Sequence, residues 1–184
     1  MKKIKVFIID DSAIVRQILT EKLSKHPRIE VVGSALDPFT AREKLDRLDV
    51  DVITLDIEMP RMDGLTFLKY LIKYRPLPVI VVSSLTDCTN KASMEAQELG
   101  AVDIVPKPGG PFSIEEVIEL LIEKIIIASQ VDQEKLQVVS QRLSQNQVKE
   151  KQTKYLSKIE TTDKLIAVGA STGGPQALEI LFKG

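Results

Sequence analysis

The chain has little with which to cross-link or anchor itself. Its 184 residues contain one cysteine, Cys88, and one histidine, His26. A lone cysteine excludes an internal disulfide and favours a reducing, cytoplasmic setting. The lone histidine precedes Pro27 and reads as a solvated turn residue. Charge of either sign is not in excess: 25 Lys and Arg against 26 Asp and Glu leave a net charge of −1. Nothing in that balance favours electrostatic capture of nucleic acid or of an anionic membrane. Long apolar runs are also missing. No stretch approaches the roughly 20 residues of a membrane span. The opening MKKIKVFIIDDS is interrupted by Asp10 and Asp11 too soon for the apolar region of a signal peptide. With 43% hydrophobic residues the composition is that of a soluble globular protein.

Short apolar runs are present, and they alternate with helical patterns. The runs are IKVFII (4–9), EVVGSAL (30–36), DVITL (51–55), PVIVVS (78–83) and VDIV (102–105). Most are continuous, as in strands covered on both faces of a parallel sheet. Helix-length segments lie around 12–24, 38–48, 64–74 and 90–99. A fifth begins with a capping box, Ser113 and Glu116. It continues with an apolar stripe through Ile114, Val117, Ile118, Leu121, Ile122, Ile125 and Ile126. Five βα units with short connections predict an α/β fold with a doubly wound, five-stranded parallel sheet. Residues 1–125 read as that domain. From 130 to 163 the chain has seven glutamines and neither Gly nor Pro. Residues 126–163 read as a partly helical linker, with Leu136, Val139 and Leu143 as a weak stripe. KLIAVG (164–169) then reads as a new buried strand, with Pro175 at the first position of a helix.

In a doubly wound sheet, sites form beyond the carboxyl ends of the strands. Here those ends carry Asp10 and Asp11, Asp56, Ser83 and Ser84, and Lys107. Three clustered carboxylates repel one another unless a cation lies among them, and hard oxygen donors favour Mg²⁺. A lysine and a hydroxyl opposite them suit the oxygens of a phosphoryl group, so the set fits phosphoryl transfer to a carboxylate. Taken singly, Asp11 or Ser12 reads as a helix cap, Lys107 as a surface lysine and Ser83 as bonded to its own backbone. Together, at four strand ends, they read as a site.

Asp10-Asp11, LDIEMPRMDGL (55–65), PVIVVSS (78–84) and PKP (106–108) resemble the motifs of response-regulator receiver domains. The resemblance covers residues 1 to about 125. It implies a flavodoxin-like fold in which Asp56 accepts a phosphoryl group from a histidine kinase. It further implies that Asp11, Asp56 and the backbone carbonyl of Glu58 hold Mg²⁺, with Asp10 in support. Ser83 and Lys107 would bind phosphoryl oxygens, and the Lys107–Pro108 bond would be cis. One position departs from the pattern. Ile104 stands where an aromatic switch residue is frequent, so no aromatic rotamer change can report activation here.

Near the C-terminus, Gly169-Ala170-Ser171-Thr172-Gly173 has the form G-x-S-x-G between a strand and a helix. Three readings fit the pattern: a glycine turn whose Ser171 or Thr172 caps a helix, a phosphate loop, and a nucleophile elbow. The phosphate loop lacks the G-x-G-x-x-G order and a Walker lysine. The elbow needs a histidine base and an acid, and His26 belongs to another unit. VGASTGGPQAL, following LDIEMPRMDGLTFL and a polar linker, resembles the chemotaxis protein-glutamate methylesterase family. The resemblance implies a receiver controlling a serine hydrolase that demethylates receptor glutamates and deamidates receptor glutamines. Ser171 would be the nucleophile, with its His and Asp partners beyond residue 184. The expectation is therefore a receiver (1–125), a linker (126–163) and the start of a truncated hydrolase domain (164–184), hydrolytically inactive as it stands. The implied partners are a chemotaxis kinase and methylated chemoreceptors. A phosphoryl-accepting module without enzymatic activity is the alternative. A DNA-binding regulator is disfavoured, since no helix-turn-helix with a basic face follows the linker.

Overall fold

The computed structural model describes residues 2–59, 63–84, 91–108, 112–132, 136–139 and 141, all within one compact unit, Met1–Val148. Five strands and five helices alternate: β1 Ile4–Ile9, α1 Ala13–Ser24, β2 Ile29–Ala35, α2 Pro38–Leu45, β3 Val52–Asp56, α3 Gly64–Tyr74, β4 Val79–Ser83, α4 Lys91–Glu98, β5 Asp103–Pro106 and α5 Ile114–Ala128. The strands are all parallel and lie in the order β2-β1-β3-β4-β5. This is the doubly wound five-stranded sheet that the alternation of runs predicts.

The continuous apolar runs have a simple cause. Successive side chains of a strand point to opposite faces, so a strand with helices on both faces must be apolar at every position. Phe7 and Ile9, Ile53 and Leu55, and Val79 and Val81 face one core, packed by Ala41 and Leu45 of α2, by Phe67, Leu68, Leu71 and Ile72 of α3, and by Ala96 of α4. Val6 and Ile8, Val52, Ile80 and Val82, and Val105 face the other, closed by Leu19 and Leu23 of α1 and by Val117, Leu121 and Ile125 of α5. Each fully buried aliphatic or aromatic side chain contributes about 1.5–3 kcal/mol relative to exposure. The sheet interior is therefore the rigid part on which the strand ends are mounted.

The helix termini follow local chemistry. Ser12 caps α1, Asp37 caps α2 with Pro38 at the first position, and Asp63 caps α3. Ser113 and Glu116 form the expected capping box on α5. Helix α2 stops at Leu45, three residues short of its predicted end. Arg75 at the end of α3 donates to the Leu48 carbonyl at 3.0 Å, tying down the turn that follows.

Beyond α5, residues 136–139 form a further helical turn. Leu136 is buried at 4% exposure, and Val139 packs against the core beneath α3 and α4. Val139 Cγ1 lies 2.9 Å from where a Cβ on Gly100 would sit, and Gly100 has φ +102. Only glycine meets both demands at that position. Leu143, the strand expected at 164–169, Ser171 and Pro175 lie outside the described residues.

Candidate phosphoryl-accepting site

Four strand ends converge at one edge of the sheet, as the topology requires. Asp56, the last residue of β3, is fully buried, and Asp10, one residue past β1, is 1% exposed. Asp11 is exposed beside them, and one carboxylate oxygen from each of the three lies within 4.8 Å of the others. Asp56 Oδ1 accepts the Glu58 N–H at 2.8 Å, and Asp56 Oδ2 accepts Lys107 Nζ at 2.7 Å. The same ammonium is 3.8 Å from Asp10 Oδ2. Lys107 is carried there by β5, because its N–H donates to the Ser83 carbonyl at 2.8 Å and Ser83 pairs with Pro106. Asp10 Oδ1 accepts the Ser12 N–H at 2.8 Å, so the residue that caps α1 also orients an acid. Asp10, Asp11, Asp56, Ser83 and Lys107 are thus brought together. Glu58, two residues beyond Asp56, carries an exposed side chain whose Oε1 accepts Ser84 Oγ at 2.8 Å.

The electrostatics are those of a crowded acid site. Burial raises the Asp10 carboxyl to about 6; Lys107 opposes the shift and the neighbouring Asp56 adds to it. Burial alone would lower the Lys107 ammonium, but its hydrogen bond to Asp56 and the charge of Asp10 outweigh burial and raise it. Two buried oxygens of the cluster, Asp10 Oδ2 and Ser83 Oγ, have no hydrogen-bond partner. Buried oxygens without partners are uncommon in folded proteins. Hard carboxylate oxygens gathered this closely could hold a small divalent cation.

Three points could not be read from the sequence. The described residues contain no cis peptide bond, so Lys107–Pro108 is trans, contrary to expectation. Trans is the lower-energy form of an X–Pro bond by about 0.5–1 kcal/mol. It already lets Lys107 reach Asp56 at 2.7 Å. The second point is Gly64. A Cβ there would lie 2.4 Å from the Asp56 carbonyl oxygen and 2.4 Å from Ile57 Cα. Helix α3 therefore starts against the backbone at the end of β3, and the signal was a glycine, a poor helix former, directly after a capping aspartate. The third is Arg16, whose Nη1 donates to the carbonyls of Asp10 at 2.7 Å and Asp11 at 3.0 Å. No sequence signal marks it beyond its place in the first turns of α1.

The model for the response regulator receiver domain matches residues 6–119. The chain belongs to the response-regulator receiver family. The receiver of Thermotoga maritima CheB, seen in a crystal structure, is 43% identical with a TM-score of 0.65, covering 71% of this chain and 99% of that one. A chain in the crystal structure of the P1 domain of CheA3 in complex with CheY6 from R. sphaeroides is 30% identical with a TM-score of 0.61, covering 71% and 100%. Similarity extends past the receiver. Protein-glutamate methylesterase/protein-glutamine glutaminase 2 of Syntrophus aciditrophicus is 54% identical over 181 residues, 97% of this chain and 51% of the relative. The chain thus spans about half the length of the curated relatives it matches. No described helix is long and apolar enough to cross a membrane.

Proposed function

We propose that Asp56 is the phosphoryl acceptor of a regulatory receiver in a chemotaxis methylesterase and glutaminase. The observation that carries the reading is the buried Asp56 carboxylate, held at 2.7 Å by Lys107 and flanked by Asp10 and Asp11. An Asp56 oxygen attacks the phosphorus of a phosphohistidine on a chemotaxis kinase. The P–N bond breaks, an acyl phosphate forms, and the leaving imidazole takes up a proton. Lys107 and Ser83 bind the phosphoryl oxygens. Asp11, Asp56 and the carbonyl of Glu58 hold Mg²⁺, with Asp10 behind them. When bound, Mg²⁺ neutralises charge on the carboxylates and the phosphoryl group. Similarity to a chain in the complex of the P1 domain of CheA3 with CheY6 supports the class of phosphodonor.

The identity of 54% across 97% of the chain supports the hydrolase reading, because it runs through the G-x-S-x-G stretch. In this reading residues 1–125 are the receiver, 126–163 the linker and 164–184 the start of the hydrolase, with Ser171 its nucleophile and methylated chemoreceptors its substrates in the cytoplasm. These 184 residues contain one histidine, and His26 Nδ1 accepts the Arg28 N–H at 3.3 Å in the turn before β2. That turn belongs to the receiver, and this reading takes the base of Ser171 from a histidine of the hydrolase domain itself. The chain as it stands therefore releases no methanol from methylated receptor membranes, whereas a chain extended to the length of the relatives does so, and Ser171→Ala abolishes it.

The decisive test of the acceptor is chemical. With Mg²⁺ and acetyl phosphate the chain gains one phosphoryl group, and borohydride reduction followed by peptide mass spectrometry converts Asp56 to homoserine. Asp56→Asn gains none. Stoichiometric labelling of the Asn variant would falsify the assignment.

A further inference from the structure

Arg16 stands outside the carboxylate cluster, yet it touches the backbone of both acids at the end of β1. In a pleated strand, neighbouring carbonyls point to opposite sides. Those of Asp10 and Asp11 instead converge on one nitrogen, Arg16 Nη1, at 2.7 and 3.0 Å. The chain has left the strand and turned, and the guanidinium sits on the inside of that turn. Arg16 is itself fixed, since its own N–H donates to the Ser12 carbonyl at 3.0 Å, one turn into α1.

We propose that Arg16 is a positioning residue that aims the Asp10 and Asp11 carboxylates into the cation site. The proposal rests on reading that cluster as the Mg²⁺ and phosphoryl site. Asp10 shows how complete the constraint is. Its N–H donates to the Ala35 carbonyl at 3.2 Å, Oδ1 accepts from Ser12 at 2.8 Å, and its carbonyl accepts from Arg16. Only Oδ2 is left without a hydrogen-bond donor, and it is the oxygen that faces Lys107 at 3.8 Å. Without Arg16 two adjacent carbonyls lose a charged donor, and the peptide between them is free to rotate. That peptide carries Asp11. Charge-assisted bonds of this length are about twice as strong as neutral ones, so the clamp outweighs an ordinary turn hydrogen bond. The guanidinium meets main-chain carbonyls here, not carboxylate oxygens. Arg16 also lines a groove of about 350 Å³ with Gln17, Thr20, Glu21 and Ser34. Arg16 therefore acts on the two acids through their main chain.

The test uses the full 184-residue chain with Mg²⁺ alone, titrated by calorimetry, and acetyl phosphate labelling as a second readout. Arg16→Ala weakens Mg²⁺ binding roughly 10-fold or more, the range for loss of a group that orients metal ligands. The Mg²⁺ concentration for half-maximal labelling rises by the same factor, while the rate at saturating Mg²⁺ stays within about twofold, since positioning is restored once the cation is bound. Arg16→Lys falls between, and millimolar guanidinium returns part of the affinity to Arg16→Ala. In EDTA the amides of Asp11 and Ser12 exchange faster in the variant while the sheet amides do not. If Arg16→Ala does not fold, the Lys variant carries the same comparison. Unchanged Mg²⁺ affinity in a folded variant overturns the proposal, and so does a lowered melting temperature with unchanged affinity. Wild-type chain that binds no Mg²⁺ overturns the cation-site reading itself.

Discussion

Asp10 holds a charge that burial resists. The folded protein raises its carboxyl to about 6 from the ordinary 3.8, with burial the first cause. The sign of the pH dependence follows. Between about pH 4 and 6 the folded state keeps a proton that the unfolded chain has released, so stability falls as pH rises through that window and levels off above it. A shift of this size corresponds to roughly 3 kcal/mol at neutral pH. Asp10→Asn keeps the shape and removes the charge. In EDTA at pH 7.5 the variant is more stable than wild type by about 1–3 kcal/mol in urea unfolding, and its stability no longer falls between pH 4 and 6. In saturating Mg²⁺ the order narrows or reverses, because the wild-type acid then has a cation to face. A variant less stable than wild type in EDTA would show that the ion pair with Lys107 outweighs burial. The acids, Ser83 and Lys107 were legible in the sequence because strand ends are where polar residues interrupt buried runs. Arg16 was not legible, because it acts through main-chain carbonyls, and a helix surface arginine looks the same whether it meets carbonyls or water.

Among the elements, α3 is the one whose start is set by the site. Gly64 leaves no room between the helix and the Asp56–Ile57 backbone, and its N–H donates to the Ile57 carbonyl at 3.2 Å. Gly64→Ala forces backbone against a methyl group at 2.4 Å. The expected cost is about 1–3 kcal/mol or more, of the size seen for overpacked interiors. A second effect separates this site from an ordinary crowded one: if Asp56 is the acceptor as proposed, its labelling by acetyl phosphate slows in the folded variant, because the displaced atoms are its own backbone and that of Ile57. Full labelling at the wild-type rate, with stability lost, would confine Gly64 to packing. Strands were the most legible elements, each found within a residue or two, because burial on both faces leaves unbroken apolar runs. Helix α2 was read too long because Arg47 and Leu48 fit the helical pattern; the turn that replaces them is held by Arg75, 27 residues downstream. Ile104, paired with Val81 in β5 and packed at the edge of the first core, is where the sequence placed it.

At the scale of the molecule, the described part of the chain does not stop at its last core helix. Leu136 is buried and Val139 packs against the core of α3 and α4, although both lie in a stretch that composition marks as linker. Their spacing was visible as a weak stripe; its docking place, the left-handed Gly100, was not, because nothing local pairs the two. A chain ending at residue 128 is therefore less stable than one ending at 148 by about 1–3 kcal/mol, the burial of two aliphatic side chains less the cost of ordering them. Equal urea midpoints for the two lengths would show that the docked turn contributes nothing. The same contact has a bearing on synthesis. Chain leaves the ribosome N-terminus first, at roughly 5–20 residues per second. When Ala128 has emerged, every strand and helix of the sheet exists, yet the space beside Gly100 and Ile72 stays open until Val139 follows. For about a second in each round of translation the receiver is whole in outline with one seam unsealed, and it is a segment beyond the last core helix that closes it.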